Sequence, residues 1–156
     1  MKLVVKEVKT MEISQIEAGN YDLYVNLFLK VFNHSPWNDE WESEKASLYL
    51  KDIFNTPGFI GMEGIIDDCV VAAIIGNRKH WWSGDEFFVQ EMFVDPKYQG
   101  KGIGSSLFEQ LTGLLKEKNI STLSLLTDKG IDAEFFYKTK GMVQIDRLIF
   151  LSKEVR

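Results

Sequence analysis

The chain has 156 residues, long enough for one domain with a real core, and its 45% hydrophobic and 26% charged residues are ordinary for a globular protein. A net charge of −5 argues against nucleic acid as the main partner, because no basic face is evident to neutralise phosphates; it is compatible with a cationic partner such as an amine. The single Cys69 rules out an internal disulfide, and the short charged opening and lack of a long apolar run argue against a signal peptide and a bilayer span, so a cytoplasmic location is expected.

Residues 3–8 read as a first strand. Tyr21, Tyr24, Leu27, Phe28, Val31 and Phe32 recur at helical spacing, which predicts an amphipathic helix ending before Asn33-His34-Ser35-Pro36. A second helix is expected over 41–54, with Asn38 or Asp39 as N-cap and Thr56-Pro57-Gly58 closing it. Residues 59–66 and 69–76 flank Asp67-Asp68 and read as a hairpin, with 87–94 as the third strand of the meander. Cys69, at a strand start, reads as a small buried apolar residue.

A helix over 102–118 would bury Ile103, Leu107, Leu111, Leu114 and Leu115. A strand over 122–126, a short helix over 132–140 and a last strand over 143–151 complete the order. No repeat or low-complexity linker interrupts it, so residues 1–156 are expected to form one α/β domain with a mixed central sheet.

The run Tyr98-Gln99-Gly100-Lys101-Gly102-Ile103-Gly104-Ser105 sits where a strand gives way to a helix. Alternating glycines permit positive φ and let a ligand approach the main chain closely. The first-turn N–H groups of the helix lack internal partners and carry the positive end of its dipole, a setting that binds phosphate. A triphosphate loop needs G-x-x-x-x-G-K-[ST], but Lys101 precedes Gly102 instead of ending the motif. A dinucleotide fingerprint has Ser105 in place of its third glycine and finds Ile120, Ser121 and Thr122 where an acidic residue belongs.

What remains is Gln-x-x-Gly-x-Gly, here Gln99, Gly102 and Gly104, preceded by Met92-Phe93-Val94-Asp95-Pro96. This resembles the acetyl-coenzyme A signature of the Gcn5-related N-acetyltransferase (GNAT) family. Downstream, Ala133-Glu134-Phe135-Phe136-Tyr137-Lys138-Thr139-Lys140-Gly141-Met142 resembles the family's A-x-x-F-Y-x-x-x-G-F segment, with Met142 in place of Phe. Upstream, Pro36-Trp37-Asn38-Asp39-Glu40-Trp41 resembles a segment of bacterial aminoglycoside-6′-acetyltransferase-like members.

The resemblance implies the GNAT fold, a mixed and mostly antiparallel sheet flanked by helices, with acetyl-coenzyme A as cofactor and no metal. Two strands would splay apart, 91–94 and 123–126, and the pantetheine arm would lie along Met92, Phe93 and Val94. Gln99, Gly100, Lys101, Gly102, Ile103, Gly104 and Ser105 would hold the diphosphate, with Phe136 nearby. Tyr137 takes the place of the family's general acid. The asparagine often found seven residues before that tyrosine is Gly130 here.

Transfer of acetyl to an amine needs a neutral amine, so a base must take its proton. Glu91, a carboxylate in an apolar strand that is costly to bury unpaired, is the candidate base or water-positioning residue, with pairing to a cation on a neighbouring strand as the alternative. Strict alternation groups Glu91 with Phe87, Val89 and Phe93, and a bulge would decide whether Glu91 or Gln90 faces the acceptor. The acceptor pocket is expected at Trp37, Trp41, Gln90 and Trp82, where aromatic faces and carboxylates suit an ammonium ion. The same tryptophans fit a core role, and His34 and His80 lack metal-ligand spacing. A small-molecule amine is the expected acceptor. A peptide amine and a non-catalytic acyl-coenzyme A sensor are the alternatives, and a homodimer is compatible with either.

Overall fold

In the computed structural model, which describes residues 1–5, 9–17 and 19–156, six strands form one sheet in chain order. They are β1 (Lys2–Val5), β2 (Lys9–Gln15), β3 (Phe59–Ile66), β4 (Cys69–Lys79), β5 (Asp85–Val94) and β6 (Ile120–Ser124). Neighbours from β1 to β5 run antiparallel, and only β5–β6 is parallel. A 3-10 turn at Tyr21–Tyr24 leads into α1 (Val25–Phe32), and α2 (Ser43–Phe54), α3 (Ile103–Glu117) and α4 (Asp132–Thr139) follow. The result is the mixed α/β sheet expected from the sequence.

The chain divides into two compact units, 1–126 and 127–156. In the first, α1 and α2 cover one face of the sheet. Phe28, Val31 and Phe32 of α1 and Leu50, Ile53 and Phe54 of α2 bury against Ala73 and Ile75 of β4 and Phe93 of β5. Residues directly opposite in a ladder share a face, so Gly76 and Ile74 belong to the other side, which α3 covers. Its buried stripe Ile103, Leu107, Leu111 and Leu115 keeps the helical period read from the sequence.

Several expectations need correction. The first strand, expected at 3–8, ends at Val5, and positions 6–8 lie outside the described residues. A second strand, β2, follows it. Met11 and Ile13 are buried while Glu12 and Ser14 are exposed, the alternation of a half-buried strand. The second helix starts at Ser43, not Trp41, and its N-cap is Glu42. The Asn33 side chain holds both backbone groups of Trp41, and Asn38 has φ 51°, so the segment before Ser43 is a pinned loop. Cys69 is exposed, because it follows the type I′-like turn of Asp67 and Asp68 (φ 50° and 62°) at the rim of the hairpin.

In the second unit, α4 is the one regular element. Glu134 accepts from the Gly130 N–H at 2.8 Å and pairs with Lys138 at 2.6 Å. The strand expected over 143–151 does not form. A turn closed by the Leu148 N–H on the Ile145 carbonyl (3.2 Å) interrupts the run, and Ile149, Phe150 and Leu151 are exposed. Apolar and β-branched composition alone does not make a strand without a ladder partner.

Candidate functional site

Asp95-Pro96-Lys97-Tyr98 turns the chain out of β5. Asp95 caps this turn by accepting from the Lys97 N–H at 2.9 Å, and its other oxygen pairs with Lys30 of α1 at 2.8 Å. Tyr98 is buried, with Lys97 and Lys101 over its ring at 5.4 and 5.6 Å. Gln99 turns back so that its Nε2 donates to the Val94 carbonyl at 3.0 Å.

Gly100 and Gly102 then take φ 74° and 81°, and an added side-chain carbon at either would meet nothing within 4 Å. Gly102 is the N-cap of α3 and offers no side chain to its first turn. The Ser106 N–H is the first to reach back along the helix, to Gly102 at 3.1 Å. The N–H groups before it have no helical partner and no side-chain cap at the positive end of a 15-residue helix. Such a terminus fits a diphosphate.

Beside this turn the two parallel strands part. Pairing of β5 with β6 ends at Phe88 and Ser124, whereas β5 stays paired with β4 as far as Val94. Between those points β5 carries a bulge. Val89 lies opposite Gly76 and Glu91 opposite Ile75, leaving Gln90 as the extra residue. The insertion moves Glu91 off the face of Phe87 and Val89, under α3, and onto the face of Phe93, under α1 and α2. Strict alternation is broken at this residue. Gln90 is exposed instead and donates to Asn77 Oδ1 at 3.2 Å.

Glu91 meets an aromatic wall there. The Tyr49 hydroxyl of α2 donates to Glu91 Oε1 at 2.7 Å. Tyr49 stacks on Trp41 with centroids 5.2 Å apart, and Phe28 meets both rings at 5.1 and 5.8 Å. The Trp41 indole N–H donates to Asp39 Oδ2 at 3.1 Å. Burial raises the Glu91 pKa from 4.5 to about 7; the Tyr49 hydrogen bond opposes the rise and the Asp39 charge adds to it. Burial and the Glu91 charge push the Tyr49 phenol up, so it remains a donor. An open depression next to this cluster is lined by Asp39, Glu40, Trp41, Glu42 and Lys45.

The expected site residues thus separate into groups. Glu91 and Trp41 stand together at the wall, and Gln99 to Ser105 form the uncapped turn. Trp37 packs on Phe32 at 5.1 Å, within the α1–α2 core. Trp82 is 89% exposed in the β4–β5 loop, where Trp81 lies under Lys79 at 4.8 Å. Phe136 and Tyr137 sit on α4, rings 5.2 Å apart and both half-buried. His34 Nδ1 lies 2.8 Å from the Lys30 carbonyl near the end of α1, and His80 pairs with Asp85 at 3.0 Å. No group of side chains able to hold a metal occurs among the described residues.

Tyr49 and Asn33 escaped the sequence reading. A signal for Tyr49 exists: it follows Ala46 by three residues and precedes Ile53 by four, so a polar-tipped ring lies on the buried stripe of α2.

Residues 21–142 match the profile of the acetyltransferase (GNAT) family. The thialysine N-epsilon-acetyltransferase of Sus scrofa is 31% identical over 61 residues, which is 38% of this chain and 36% of that protein. The chain therefore spans about a third of that relative's length. Among solved structures, a possible acetyltransferase from Clostridium difficile 630 superposes with a TM-score of 0.78 at 20% identity, over 94% of this chain and 99% of the other. The aminoglycoside N-acetyltransferase AAC(6')-Iy in complex with CoA gives 0.74 at 15% identity, over 97% and 99%.

Proposed function

Because the chain belongs to the acetyltransferase (GNAT) family, we propose that it is an acetyl-coenzyme A-dependent N-acetyltransferase acting on a primary amine of a small molecule, by direct attack in a ternary complex. The observation that carries this reading is one strand, β5, serving two neighbouring features. Its C-terminal end feeds the uncapped turn of α3, and its bulge turns a half-buried carboxylate toward an aromatic wall.

Backbone N–H groups from Gly100 to Ser105 would hold the diphosphate, with Lys101 adding screened positive charge. Pairing of β5 with β6 ends at Phe88, and the pantetheine arm would lie beyond it along Met92, Phe93 and Val94. Acetyl-coenzyme A supplies the acetyl group as a thioester.

Glu91 receives the proton that the acceptor ammonium loses. With its pKa raised to about 7, the carboxyl is matched to that exchange near neutral pH. Trp41 offers a ring face to the cation, and Asp39, Glu40 and Glu42 supply negative potential around it. Gln90, Trp37 and Trp82 are proposed to shape the remainder of the acceptor site. Tyr137 is proposed as general acid on its place in the A-x-x-F-Y segment of α4. The thialysine and aminoglycoside acetyltransferases among the similar proteins support an amine acceptor.

The test has two arms. Acetyl-coenzyme A should raise the melting temperature of the wild type and leave Gly102→Glu unmoved; an unmoved wild type refutes the cofactor. Thiol release across a panel of polyamines, aminoglycosides, amino-acid derivatives and peptides should then identify the acceptor, and silence throughout would favour a sensor of acyl-coenzyme A.

A further inference from the structure

We propose that Tyr49 is a positioning residue for Glu91: its hydroxyl holds Oε1, so that Oε2 is the oxygen that serves the acceptor amine. The use of Oε2 rests on the function proposed above, whereas the hold on Oε1 does not.

The geometry is asymmetric. Tyr49 Oη lies 2.7 Å from Oε1. The Tyr49 bond is made to Oε1, and Oε2 is not one of the buried side-chain atoms left without a partner. The phenol fixes one oxygen and leaves the other to a different partner. The phenol that does the fixing is itself held, stacked on Trp41 and tilted against Phe28, while Trp41 is fastened through its backbone to Asn33. A carboxylate at a bulge, without such a clamp, would be free to rotate about its side-chain torsions.

Two groups packed against Glu91 act on its proton affinity in opposite senses. From α2 comes the Tyr49 hydroxyl, which favours the charged form; from the loop before α2 comes Asp39, which disfavours it. β4 presents Ile75 and α1 presents Phe28 to the cluster, neither of which titrates. Lys45, Glu40 and Glu42 line the depression beyond Asp39. Tyr49 and Asp39 therefore pull in opposite directions on one group.

That opposition gives a test needing neither acceptor nor cofactor. In the full chain carrying 13C-labelled glutamate, the Glu91 carboxyl signal, assigned by its loss in Glu91→Gln, is titrated by NMR. Tyr49→Phe should move its midpoint upward by about one pH unit, since a bond to the charged form is lost. Asp39→Asn should move it downward. A packing role alone predicts no movement in Tyr49→Phe, or a fall toward the solvated value if water enters, and either result overturns the proposal. A full chain with 3-fluorotyrosine at position 49 keeps the ring and strengthens the donor, so the midpoint should fall; an unchanged midpoint there also overturns it. Once an acceptor is found, Tyr49→Phe should lower kcat at least tenfold near pH 7 with little change in KM for acetyl-coenzyme A. An unchanged kcat would reject the use of Oε2 while leaving the titration result intact.

Discussion

Glu91 and Ile75 are register partners on the face of the sheet that α1 and α2 cover, and they are so because Gln90 has no partner of its own on β4. One inserted residue decides which layer of the protein the carboxylate enters.

The strand opposite the bulge tolerates this only with glycine at position 76. An added side-chain carbon there would lie 2.0 Å from the Phe88 carbonyl oxygen and 2.9 Å from the Phe87 ring. A carbonyl in a ladder cannot swing aside without breaking its pairing. Gly76→Ala should therefore destabilise the fold by about 3 kcal/mol or more, read from urea unfolding; a loss below about 1 kcal/mol would show that β5 shifts freely.

Stability should depend on pH through Glu91. Its folded pKa, about 7, lies above the ordinary 4.5, so between those values the folded chain holds a proton that the unfolded chain has released. Stability from this group falls as pH rises through that window, and the full penalty is present above pH 7. Glu91→Gln escapes the penalty. Relative to wild type, it should gain about 2.5 kcal/mol between pH 5 and pH 8 in urea titrations. A difference that stays flat with pH would contradict the raised value.

Tyr137→Phe separates chemistry from binding. Loss of a general acid should cut kcat by about 10²-fold or more, with the thermal shift given by acetyl-coenzyme A preserved. Unchanged turnover on an identified amine removes Tyr137 from the mechanism.

Asn33→Ala removes two hydrogen bonds, 2.9 and 2.8 Å, that hold the backbone of Trp41. The loss should cost about 1–3 kcal/mol and raise KM for the acceptor while leaving the cofactor shift alone. Calorimetry and steady-state kinetics read the two effects separately, and a KM equal to wild type would uncouple Trp41 from acceptor binding.

Much of this architecture is legible in the residues. The α3 stripe, the hairpin at Asp67-Asp68 and the glycine turn each carry a local signal, either a period or a backbone demand that only certain residues meet. The bulge is not legible, because Gln90-Glu91 has no composition that marks an insertion; it appears only when β4 is laid beside β5. The pairing of Tyr49 with Glu91 spans 42 residues and is equally hidden. Residues 143–151 fail in the opposite way, since their strand-forming composition is plain and the Ile145–Leu148 turn that divides them is not.

The Lys30–Asp95 ion pair joins regions otherwise built from separate stretches of chain. Its helix is only eight residues long, yet it sends Lys30 to the exit of β5 and Phe28 to the aromatic rings, and Asn33 at its end grips the loop beyond. α1 thus links the turn proposed to hold the diphosphate with the wall proposed to receive the amine. Any displacement of this one helix would be felt at both places.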